Sequence, residues 1–73
     1  MAHLNVISEV TGTVWKIETQ VGASIEADDA VLIAESMKME IPVVSSDAGR
    51  VIEIRVKEGD SIQDGQVVAV IET

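Results

Sequence analysis

Sliding the chain along itself by 37 residues superposes positions 12–36 on 49–73 without a gap, and the matches fall where backbone shape is decided. Eight pairs are identical: Gly12 with Gly49, Val14 with Val51, Ile17 with Ile54, Gly22 with Gly59, Ser24 with Ser61, Ile25 with Ile62, Val31 with Val68 and Glu35 with Glu72. A unit this short has one apolar face and nothing of its own to cover it, so two copies must cover each other. The apolar positions are mainly Val and Ile, and Ile52-Glu53-Ile54-Arg55-Val56 alternates with period two, whereas no stretch of ten residues has a clean helical period. The expectation is an all-β fold: a flattened eight-stranded antiparallel barrel or sandwich with an internal pseudo-twofold axis. It takes residues 1–73 as one domain, with about four short strands per copy.

In chain order, Leu4-Asn5-Val6-Ile7-Ser8 reads as a short strand, and Gly12 to Glu18 as a second that bends at its glycine. Ser24-Ile25 is a minimal strand, Glu26-Ala27-Asp28-Asp29 a polar turn, and Ala30 to Glu35 the strongest strand of the chain. Pro42 cannot donate to a ladder and marks an edge or a strand start. Gly22 and Gly59 are expected at backbone angles that a side chain makes costly. Gly12 and Gly49 call for either the same freedom or a close approach of another backbone. Trp15, the sole aromatic residue, is assigned to packing, with a partner contact as the lesser alternative.

Composition narrows the function classes. A chain of 73 residues buries only about 60% of its unfolded surface, which argues against a deep catalytic cleft. The absence of Cys removes disulfides and thiolate metal sites. His3 stands alone, and Asp28-Asp29 and Asp60-Ser61 read as turns, so no metal site is expected. With 13 acidic against 5 basic residues the net charge is −8, which repels phosphate backbones and anionic lipid. Protein partners are expected, with no nucleic acid and no membrane. No apolar run approaches a membrane span, and the N-terminus lacks a signal-peptide layout, so the default expectation is a cytoplasmic protein.

What the repeat leaves over is the stretch between its copies, Met37-Lys38-Met39. Apolar strands on both sides put Lys38 at the apex of a reversal, with Glu35 and Glu40 beyond the methionines. The symmetry-related turn falls past Thr73, so one tip is unique and presents one lysine. An arbitrary turn lysine is most often merely solvated, but the methionine pair and the whole-chain repeat reverse those odds.

Glu35-Ser36-Met37-Lys38-Met39 resembles the attachment motif of biotinyl domains, usually Glu-Ala-Met-Lys-Met on a β-hairpin. The flanks are similar too: Gly12-Thr13-Val14 and Gly49-Arg50-Val51, Gly59-Asp60, and a terminal aliphatic strand, with Lys38 lying 35 residues before the C-terminus. Ser36 replaces the commoner alanine, there is no room for a protruding thumb insertion, and no Ala/Pro-rich linker precedes the domain. The resemblance is therefore to small stand-alone biotin/lipoyl attachment proteins. It implies a non-catalytic biotin carboxyl carrier, monomeric when free and acting in trans. Lys38 would be covalently biotinylated by a biotin protein ligase and would carry CO2 between biotin carboxylase and carboxyltransferase. It further implies that Met37, Met39 and Glu35 are read by the ligase. Met37 and Met39 serve equally well as core filler at this level, and Glu35 as a structural residue matching Glu72. Two rivals remain. A lipoyl carrier of a 2-oxoacid dehydrogenase or glycine-cleavage type system, with lipoate on Lys38, has the same fold, although such domains usually carry Asp-Lys-Ala at the tip. An unmodified β-sandwich adaptor leaves the Met-Lys-Met apex without a reason.

Overall fold

The computed structural model describes residues 2–73. Eight strands form in the order β1 (His3–Ile7), β2 (Gly12–Ile17), β3 (Ser24–Ile25), β4 (Ala30–Ser36), β5 (Met39–Val44), β6 (Gly49–Ile54), β7 (Ser61–Ile62) and β8 (Val67–Glu72). They build two four-stranded sheets, β1-β8-β6-β3 and β5-β4-β2-β7, and every pairing is antiparallel. The expected all-β sandwich is what the chain forms. No helix among the described residues is long and apolar enough to cross a membrane.

The copies are interlocked rather than stacked. Each lends its two-residue strand to the other's sheet: β3 pairs with β6, and β7 with β2. The contacts that hold these exchanges come in symmetric pairs. Val14 N–H donates to the Asp60 carbonyl at 2.8 Å and Val51 N–H to that of Ala23 at 2.9 Å. Gly59 N–H donates to Val14 at 2.8 Å and Gly22 N–H to Val51 at 2.7 Å. Gly22 and Gly59 both have positive φ, 95° and 94°, as their turns require.

The symmetry reaches beyond the interval visible in the pattern of identities. β1 corresponds to β5, and Ser8 to Ser45: both serines are buried, and each hydroxyl donates to the carbonyl two residues on, at 2.7 and 2.6 Å. These bonds satisfy groups that burial would otherwise leave unpaired, a loss of about 1–3 kcal/mol. Between the sheets lies an aliphatic core that includes Val14, Val31, Leu32, Ala34, Val51, Val68, Ala69 and Ile71, all at most 1% exposed. Two bulges match as well. β2 slips register against β4 between Val14 and Lys16, and β6 against β8 between Val51 and Glu53. Trp15 lies on the face opposite buried Val14 and is 51% exposed, which corrects its assignment to packing.

Gly12 and Gly49 are not positive-φ positions, and close approach is the reason for both. A Cβ on Gly12 would lie 2.3 Å from the Glu35 carbonyl oxygen, and one on Gly49 2.6 Å from that of Glu72. Each glycine thus lets β2 or β6 run tight against the end of β4 or β8. β4 is the strand that delivers the apex.

Candidate functional site

β4 and β5 form a hairpin whose last pair is Ser36 with Met39, leaving Met37 and Lys38 as a two-residue loop. Both have positive φ, 53° and 66°, the signature of a type I′ turn, whose twist matches that of the flanking strands. Such turns favour Asn-Gly, because a side chain in the left-handed region costs energy. Here Met and Lys occupy the two positions, against local preference. Local rules are broken in this way where function sets the sequence.

The side chains at the tip stand in solvent. Met37 is 92% exposed and Met39 62%, so neither fills the core. Lys38 is exposed too, and among the described residues it joins no ion pair. Its rigid setting comes from the strands below. β4 is held between β5 and β2, with Glu35 paired to Glu40 on one side and to Thr13 on the other. The hairpin fixes the lysine Cα and leaves the four-carbon stem and amine to move.

The internal repeat supplies a control for the charges. Glu72, the mate of Glu35, is bracketed by nitrogen partners: the Arg50 guanidinium at 3.4 Å and the His3 imidazole at 3.6 Å. The equivalents around Glu35 are Thr13 and Glu40, and Glu40 lies directly across the strand pair. Like charges placed opposite each other are unfavourable. The structural role seen at Glu72 is therefore not shared by Glu35, and the flanks of the tip are uncompensated and acidic.

Other residues singled out in the sequence lie elsewhere or are structural. His3 and Glu72 belong to the sheet that does not carry the tip. Asp29 and Asp60 cap their own turns, accepting the Glu26 and Lys57 amides at 2.9 Å each. Sequence reasoning missed the paired buried serines, although Ser8 and Ser45 are identical at the 37-residue offset. An exposed, unpaired primary amine at a rigid apex suits a group that is attached by an amide bond and must then move. No cavity is needed for it.

Comparison with known proteins agrees with this geometry. The family model for biotin-requiring enzymes of the biotin/lipoyl type matches residues 4–71. The chain is 42% identical over 65 residues to the "Biotin/lipoyl attachment protein" of Bacillus subtilis (strain 168), covering 89% of each. It is 40% identical over 67 residues to the "Biotinylated protein TB7.3 homolog" of Mycobacterium leprae (strain TN), covering 92% of this chain and 94% of that one. Among solved structures, the urea carboxylase of Kluyveromyces lactis superposes with a TM-score of 0.92 at 40% identity, over 99% of this chain but 6% of the carboxylase. A match over nearly the whole chain, on a two-sheet fold with a lysine at its hairpin apex, places this protein in the biotin/lipoyl attachment family.

Proposed function

We propose that Lys38 is the attachment residue and that the chain is a biotin carboxyl carrier, loaded by a biotin protein ligase and serving a biotin carboxylase and a carboxyltransferase. The observation that carries this reading is the apex itself: Met37-Lys38 in a type I′ turn that neither residue favours, with all three side chains of Met-Lys-Met exposed. An exposed lysine amine without an activating neighbour is a poor nucleophile at neutral pH. The chain offers it no base at the tip, only the two carboxylates flanking the hairpin. Activation must come from an enzyme that presents an acyl-adenylate. The amine attacks the activated carbonyl, AMP departs, and the nitrogen loses a proton as the amide forms.

Attached biotin supplies the ureido nitrogen that accepts and gives up CO2, and the partner enzymes do the bond chemistry. This chain's residues hold and present. Gly12 and the β2-β4-β5 ladder fix the Lys38 backbone, while the turn holds the stem clear of the sheet surface. Glu35, Met37 and Met39 form the surface that a ligase meets first, and we assign them to recognition.

Lipoate is the second reading. The fold is common to both cofactors, and the Bacillus subtilis relative carries both in its name. The methionine flanks favour biotin. One experiment addresses both readings: purified apo-protein is incubated with a biotin ligase or a lipoate ligase, and intact mass is read. Biotinylation at a single site is expected, lost in Lys38→Arg with an unchanged thermal melt. Streptavidin binding that persists in that variant would sink the assignment, and a mass gain from lipoate alone would move the chain to the second reading.

A further inference from the structure

Three methionines occur in the chain; Met37 and Met39 flank Lys38, and Met1 lies outside the described residues. With no cysteine present, these thioethers are the chain's only sulfur. Methionine usually earns its place by filling irregular gaps in a core. At 92% and 62% exposure, Met37 and Met39 fill none. Their sulfur atoms sit one residue to either side of the amine that an enzyme must recognise, open to any small oxidant in solvent. In this carrier the apolar character of the acceptor site resides in atoms that can be oxidised.

We propose that Met37 and Met39 are a reversible sulfoxidation site that controls whether Lys38 is accepted for loading. This rests on the reading of Lys38 as the attachment residue. The oxidant is a peroxide. The thioether sulfur displaces water from hydrogen peroxide, taking one oxygen and giving up two electrons, so that each methionine becomes a sulfoxide and one water is released. A sulfoxide is polar and chiral where the thioether was apolar and pliable. A ligase surface shaped to bury thioethers must then desolvate an S–O dipole on each side of the lysine, and without a partner such burial is unfavourable. The fold is indifferent to the change, because neither side chain belongs to the core. The switch acts on recognition alone. Methionine sulfoxide reductases, one for each epimer, reverse it: two thiols become a disulfide and the oxygen leaves as water. A carrier loaded before the oxidant arrives keeps its cofactor, since the amide bond is untouched, so only new loading is gated.

The test uses the full-length apo-protein. Peroxide treatment is followed by peptide mass spectrometry until Met37 and Met39 each carry one oxygen, and a thermal melt checks the fold. The initial rate of loading by purified ligase is then compared before oxidation, after it, and after incubation with both reductases and dithiothreitol. The expected result is an unchanged melt, at least a tenfold drop in rate on oxidation, and recovery on reduction. An unchanged rate in the doubly oxidised protein overturns the proposal. So does a drop that the reductases do not reverse once mass spectrometry shows both methionines restored, because the damage then lies elsewhere. The ratio of rates before and after peroxide in Met37→Leu/Met39→Leu adds a further check: it should be one, and a ratio as low as that of the unsubstituted protein also counts against the site. Failure of the underlying reading is distinguishable, since the untreated protein would then take up no cofactor at all.

Discussion

Lys38 occupies a backbone position that suits glycine. At φ 66°, as second residue of a type I′ turn, it bears a left-handed strain of about 1–2 kcal/mol that a glycine would not. Glycine gives back part of that gain through its larger unfolded-state entropy, about 0.5–1 kcal/mol. Lys38→Gly is therefore expected to stabilise the protein by about 0.5–1 kcal/mol, or roughly 2–8 °C in Tm for a domain this small, while abolishing the proposed modification. Calorimetry checks the sign, and a lower Tm in the glycine variant would show that the lysine makes a stabilising contact at the tip. The turn type was not legible in the sequence. Asn-Gly or Asp-Gly would have announced it, whereas Met-Lys carries no turn signal and is read instead for its chemistry. The exposure of Trp15 was within reach of the sequence, since alternation sets it opposite Val14; the bulge that keeps Lys16 outward as well was not, because nothing in Val14-Trp15-Lys16 marks one.

Strand β4 carries the apex, and the packing of its C-terminal end depends on a missing side chain in β2. A Cβ at Gly12 would sit 2.3 Å from the Glu35 carbonyl oxygen and 3.2 Å from the Ser36 Cβ; the Gly49 equivalent meets the Glu72 carbonyl at 2.6 Å. Backbone atoms cannot swing aside as a flexible side chain can, so the strands must separate. Gly12→Val and Gly49→Val should each cost a kcal/mol or more, in the range of other backbone-incompatible changes. Gly12→Val should also slow the loading of Lys38, because it disturbs the ladder beneath the tip. Urea melts of both variants, paired with ligation rates, separate the two effects, and two near-neutral melts would contradict the close approach. The requirement for glycine at both places was legible from the repeat, and the repeat likewise revealed the symmetry of the sheets. The exchange of β3 and β7 between sheets was not. Strands of two residues, Ser24-Ile25 and Ser61-Ile62, hold too little pattern to name their partners, and only the assembled ladders reveal the crossing.

At the scale of the whole molecule, charge decides how partners are met. A net charge of −8 on 73 residues is a strong field for so small a body, and near the tip Lys38 is one cation set against the two carboxylates of Glu35 and Glu40. Arg50 is committed to Glu72 and Arg55 to Glu53, while Glu35 and Glu40 face each other with no cation between them. Exposed pairs of that kind contribute at most about 1 kcal/mol to stability, so this distribution matters more for approach than for folding. A ligase or carboxylase with a basic rim would draw the acidic tip inward and raise the association rate well above that of a neutral pair. Salt screens such attraction over a Debye length of about 10 Å at 0.1 M, shrinking to about 3 Å at 1 M. The apparent second-order rate of Lys38 loading, measured as kcat/KM for the carrier, should therefore fall steadily as salt rises, with kcat held nearly constant. Glu35→Gln and Glu40→Gln should each flatten the salt dependence, since each removes one charge from the approaching face. A rate that ignores salt in the unsubstituted protein would dismiss steering and leave docking to the exposed methionines, whose apolar contribution salt does not screen.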